Sequence, residues 1–177
     1  MFDKQIIITG RHAKLLKKYS PDKQADEKFP FLLGDDHPDS RRSGIKEVNL
    51  FENMMQCYMV SAMIGIIEKK CVSADLSVTA EATIFADMVN KNRTELQRIY
   101  YHMILSEESE LTLDARVKKA FSIILPEQEK DVQKAIDGYV RGGLEIIDSY
   151  FGECKSCEEL AQKIYDLLQQ YSEFLEK

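Results

Sequence analysis

Cysteine, proline and glycine are all sparse in this 177-residue chain, and each scarcity removes a class of protein. Four cysteines are too few for a disulfide-stapled scaffold, which leaves reduced thiols and a cytoplasmic location as the expectation. Four prolines and eight glycines rule out collagen-like and low-complexity chains. No apolar run approaches the roughly 20 residues that span a bilayer. The longest, Cys57 to Ile67, covers 11 residues, contains Ser61, and reads as a core helix. The N-terminal MFDKQIIITGRH has neither a basic start nor a small-residue cleavage site, so no signal peptide is expected. Recognised catalytic patterns are also missing: there is no G-x-G-x-x-G, Walker, H-E-x-x-H or Ser-His-Asp arrangement, and no Glu/His repeat of a di-iron bundle.

What is present is apolar and helix-forming. Apolar residues make up 44% of the chain, enough for a core and too many for wholesale disorder. Charge is uneven: residues 1–46 carry a net +3 and residues 47–177 a net −9. An acidic body argues against general nucleic-acid binding, which needs an excess of Lys and Arg.

The chain divides into a basic N-terminal arm with a long loop (1–46) and a helical body (47–177) within one domain. Residues 5–8 (QIII) allow one short strand, and Arg11 to Tyr19 reads as a basic helix. Residues 20–44 hold three of the four prolines and form a long loop, broken by the apolar knot Phe29, Phe31, Leu32 and Leu33. Beyond it, Glu47 to about Lys70 predicts a central helix that is apolar nearly all round. Ala80 to Asn90 predicts a second helix, with Ala82, Phe85, Ala86 and Val89 on one face. Asn92 and Glu95 mark the start of a third, burying Leu96, Ile99, Tyr100, Met103 and Ile104. Thr112 starts a fourth, with Leu113, Val117, Ala120, Phe121 and Ile124 inward. After Pro126 comes a long helix with Val132, Ile136, Tyr139, Val140, Ile147 and Tyr150 at helical spacing. Ser156 and Glu159 form a capping box for the last, which carries Leu160, Ile164, Leu167, Leu168, Tyr171 and Leu175. The expected fold is therefore an all-α bundle of about five to seven helices, with room for one short N-terminal strand.

Four local patterns carry candidate chemistry. Cys154-Lys155-Ser156-Cys157 puts a thiol in a first helical turn, where the dipole favours thiolate. The readings are two incidental reduced thiols, a redox pair, or half of a metal site that lacks a second ligand pair. Arg141-Gly142-Gly143 inside a helix pattern marks a close approach or kink, or an interruption that offers backbone N–H groups to an anion. Arg11, Lys14, Lys17 and Lys18 form a cationic stripe or a solvated face. Asp35, Asp36, His37 and Asp39 suit a metal ion or simple turn chemistry. No metal or cofactor is expected.

The segment LFENMMQCYMVSAMIGIIEKK (50–70) resembles the central helix of small DNA phosphorothioation-associated proteins, and DGYVRGGLEIID (137–148) is similar to a second stretch of them. The resemblance implies an accessory protein of a bacterial DNA-modification or phage-defence system, and assigns no site residues. The residues themselves predict a non-catalytic accessory or adaptor protein that binds another protein. Its expected contact surface is Arg11, Lys14, Lys18, Phe29, Phe31, Arg41 and Arg42. One alternative is a nucleic-acid-binding protein using residues 4–18 and 41–42. The other is a metal- or thiol-dependent enzyme. No membrane partner is expected, and self-association is open.

Overall fold

A computed structural model describes residues 2–20, 30–32, 47–107, 111–154 and 156–175. Of residues 30–32, 47–48, 157 and 170–175 only the backbone is described. The chain is mostly helical, as the periodicity predicts. The helices are α1 (Arg11–Tyr19), α2 (Met54–Ile67), α3 (Ala86–Lys91), α4 (Arg93–Ser106), α5 (Leu113–Phe121), α6 (Glu129–Phe151) and α7 (Cys157–Leu175). Short strands add two antiparallel pairs. β1 (Ile6–Thr9) pairs with β4 (Glu81–Ile84), and β2 (Pro30–Leu32) pairs with β3 (Glu47–Asn49).

The N-terminal isoleucines form a strand because they alternate: Ile6 and Ile8 are buried while Ile7 faces out. Ile6 sits opposite Ile84 and Ile8 opposite Ala82. This pairing corrects the helix expected over Ala80 to Asn90. Ala82 and Ile84 follow the two-residue period of a strand, and a partner strand 75 residues away in sequence decides for it. Only Ala86–Lys91 is helical there, and Phe85 points into solvent. Gly10 then turns β1 into α1 at φ +73°, a conformation open to glycine. A Cβ there would overlap the Asp75 carbonyl, and the Gly10 N–H donates to Ala80 O at 2.8 Å.

The core lies between α2 and α6. The helix expected from Glu47 starts later, at Met54, because the Asn53 side chain caps it by accepting from Gln56 N at 2.9 Å. Met55, Cys57, Tyr58, Ala62 and Ile66 of α2 are buried, against Ile136, Val140, Leu144 and Ile147 of α6. Helix α6 is continuous across Gly142 and Gly143, which removes the reading of an interrupted, anion-binding helix. Both glycines serve close approach. A side chain at Gly143 would overlap the Ser61 carbonyl of α2, and one at Gly142 would overlap the Lys70 carbonyl.

The expected core of α4 is present in full: Leu96, Ile99, Tyr100, Met103 and Ile104 are all buried. Asn92 precedes this helix as expected, but it does not cap α4; its amide donates back to Met88 O at 2.8 Å. Thr112 does cap α5, accepting from Ala115 N. Ser156 caps α7, accepting from Glu159 N at 3.2 Å.

The inward set predicted for α5 is the main error in the helix assignment. Ala120 alone is buried; Leu113, Val117 and Phe121 are exposed. On α7, Leu160 is buried and Leu168 exposed. Among the described residues no helix is long and apolar enough to cross a membrane.

Candidate functional site

The cationic stripe on α1 is only partly available. Arg11 and Lys14 are exposed. Lys18 is not: its ammonium donates to Asp148 Oδ1 at 2.9 Å and lies 5.3 Å from the centre of the Tyr19 ring. Phe31 belongs to β2, opposite Val48, through its backbone. Phe29, Arg41, Arg42 and the 35–39 acidic cluster lie outside the described residues. The structure thus brings three of the seven expected contact residues onto one helix, and one of those is committed inward.

That commitment exposes a feature the sequence reading missed. Helix α6 carries Asp137, Arg141, Glu145 and Asp148 on the side facing α1, α2 and residues 70–72, and each is tied down. The Tyr58 hydroxyl donates to Asp137 Oδ1 at 2.8 Å, and Gln133 Nε2 donates to both. Arg141 Nε donates to Val72 O at 2.8 Å. Glu145 accepts from Lys70 Nζ at 2.9 Å and faces His12 Nε2 at 3.2 Å. Asp148 accepts from Tyr19 Oη as well as Lys18.

The electrostatics follow from burial against these partners. Burial raises the Asp137 carboxyl above its ordinary range, although the Tyr58 and Gln133 hydrogen bonds oppose it. Burial also acts on Glu145 and Asp148, but there Lys70 with His12, and Tyr19 with Lys18, outweigh it, and both carboxyls are lowered. Burial lowers His12, which Glu145 only partly counters. A histidine beside a carboxylate has the parts of a general base. His12 is 1% exposed, however, and its Nδ1 has no partner among the described residues, so no substrate reaches it. The row is a clamp that fastens α1 and residues 70–72 to α6.

The other half of the molecule is built differently. A cleft of about 720 Å³ opens between α4, α5, residues 122–128 and the first half of α6. Met103, Ile104, Val132 and Ala135 form its apolar floor, and Ile124 one wall. Tyr100, Tyr139, Lys119, Glu107, Ser122, Gln128 and Asp131 bring polar groups to its lining, and Ile123 lines it as well. Lys119 Nζ meets Glu107 Oε2 at 3.0 Å. Burial raises both phenols; Lys119 is close enough to Tyr100 to counter this, and Glu107 close enough to Tyr139 to add to it. Neither phenol oxygen has a hydrogen bond to a described residue.

Beside the cleft lies an apolar surface. Leu113, Val117 and Phe121 follow one another at four-residue spacing along α5, and Ile123 continues them at 89% exposure. Phe121 is held on one side by the Tyr101 ring, 4.6 Å away between centroids. Arg116 braces α5 from beneath, donating to Leu105 O and Glu107 O.

The thiols add no site. Cys57 is buried, and burial pushes it up to about 12, so it stays protonated. Cys154 is half-buried, and the Cys157 side chain is outside the described set. No group of three or more His, Cys, Asp or Glu side chains that could hold a metal occurs among the described residues. No family model, curated protein or solved structure matches the chain.

Proposed function

We propose that this chain is a non-catalytic accessory protein that acts by binding another protein. One observation carries the reading: the exposed apolar row Leu113, Val117, Phe121 and Ile123 on α5 and the segment after it. Single exposed apolar residues are ordinary, but a contiguous row of large ones marks an interaction surface. It also offers a rigid helix face, which fits a partner with a complementary apolar patch.

On this reading the contact surface is α5 rather than the basic arm. The nucleic-acid reading needs the α1 cations, and Lys18 is held by Asp148. The link to a bacterial DNA-modification or defence system rests on the resemblance of residues 50–70 and 137–148. The test is affinity purification of the wild type and Val117→Asp from the native host. The reading expects a partner that is retained by the wild type and lost by the variant, with both melting alike. An identical set of co-purifying proteins would overturn it.

A further inference from the structure

We propose that a second copy of this chain covers the α5 row, its own α5 lying antiparallel across a twofold axis. The proposal rests on the reading of that row as an interaction surface, and it names what occupies the row in the free protein.

The pattern of α5 is complementary to itself. Leu113, Val117 and Phe121 recur once per turn, which leaves a groove between successive side chains. Asp114 follows Leu113 and Lys118 follows Val117, so the two charges flank the row on the same side, one turn apart. Both are exposed, and neither has an ion pair among the described residues. The other cations of α5 are engaged, Arg116 with Leu105 O and Glu107 O, and Lys119 with Glu107.

A twofold axis level with Arg116 satisfies both parts of this pattern. With a rise of about 1.5 Å per residue, it brings Asp114 of each copy level with Lys118 of the other. It also staggers the two rows by about 3 Å, half their spacing, so each apolar side chain falls between two of the other copy's. Ile123 then extends past the other copy's Leu113 toward its Leu111, which is 44% exposed. A parallel pair would instead set Asp114 against Asp114 and Lys118 against Lys118. Because both copies use the same patch, the contact closes as a dimer and leaves no row free for a third chain. The row and Leu111 expose on the order of 500 Å² of apolar surface per copy, so a facing pair covers about 1,000 Å², the lower limit of a specific interface. Association at that size falls in the micromolar range.

The experiment is sedimentation equilibrium of the full chain from roughly 1 to 500 µM. The wild type should dimerise, and Val117→Asp should be monomeric throughout. Asp114→Lys and Lys118→Asp should each weaken self-association about tenfold, since both reciprocal pairs become like-charged. An equimolar mixture of these two variants should regain the wild-type affinity, because each then meets opposite charges on the other. Both positions are exposed, so these variants fold even if Val117→Asp does not. The proposal is overturned if the wild type stays monomeric, if the single charge variants associate like the wild type, or if mixing them restores nothing. A monomeric wild type that still loses a host protein on Val117→Asp overturns this inference and keeps the proposed function. A dimer that captures no host protein does the reverse.

Discussion

The α1–α2–α6 half and the α4–α5 half of this protein handle apolar and charged groups in opposite ways. In the first, glycines bring backbones together, and the charged groups on the inner side of α6 are paired: Asp137, Arg141, Glu145 and Asp148 all have partners. In the second, Leu113, Phe121 and Ile123 face outward, two phenol oxygens have no hydrogen bond among the described residues, and a cleft remains between the helices. Satisfied polar groups and close packing stabilise a fold. Exposed apolar rows and open clefts add nothing to folding, so they are where a ligand or partner is expected to complete the structure. On the proposed function, stability belongs to one half and recognition to the other.

The largest effect should come from the tight side. Gly143→Val forces a branched side chain into the Ser61 carbonyl of α2. Backbone must move, because no flexible side chain stands in the way, and the expected cost is roughly 3 kcal/mol. Urea unfolding checks it; a loss below about 1 kcal/mol would mean that α2 and α6 are looser than described.

Tyr58→Phe should come next. Tyr58 is fully buried and donates to Asp137, which burial already holds above its ordinary range. Without the hydroxyl, Gln133 remains the carboxyl's donor, and the expected loss is about 2 kcal/mol. The equivalent change across the molecule, Tyr139→Phe, removes a hydroxyl with no hydrogen bond among the described residues and should be nearly neutral. Equal losses at the two sites would break the comparison.

This division explains how far the sequence could be read. Helix identities were legible wherever an apolar period coincided with a cap, as at Thr112 and at Ser156 with Glu159. All five core positions of α4 were legible for the same reason. Strand β4 was not, because its period of two spans four residues and is decided by β1, far away in sequence. The clamp was hidden as well: Glu145 and Asp148 look like solvated charges until α1 is laid across them. The α5 row misled in the other direction. Spacing shows that a helix has an apolar face but not that anything covers it, and here the face is bare. The cleft joins residues from three helices and left no sequence signal.

A smaller effect should appear with pH. Burial holds His12 below its ordinary 6.5 despite Glu145, with Arg11 and Arg141 adding to the shift. Asp75 and Lys70 are the remaining charges nearby. The unfolded chain therefore takes up the proton first. The stability due to His12 is fully present above pH 6.5 and is lost as pH falls toward the folded-state pKa. The carboxyls of Glu145 and Asp148 are lowered, so their contributions fade only at more acidic pH. Between about pH 7.5 and 5.5 the wild type should lose more thermal stability than His12→Gln. Parallel curves would show that burying His12 has no energetic weight.

The smallest effect is expected at Ile123, and it sharpens the comparison most. At 89% exposure this side chain keeps nearly all its apolar area in water. Ile123→Ser removes that area from the folded and unfolded chains almost equally, so the stability change should stay within about 0.5 kcal/mol. The segment that carries it lies outside regular secondary structure, so helix propensity does not enter either. The same substitution should weaken any partner that docks on the α5 row, because there Ile123 would be buried only in the complex. Chemical denaturation and partner retention are therefore expected to separate: unchanged unfolding beside reduced capture. If Ile123→Ser costs 2 kcal/mol or more, Ile123 packs within the folded chain in solution, and the division between a stabilising half and a recognition half fails at the residue where it is most exposed to test.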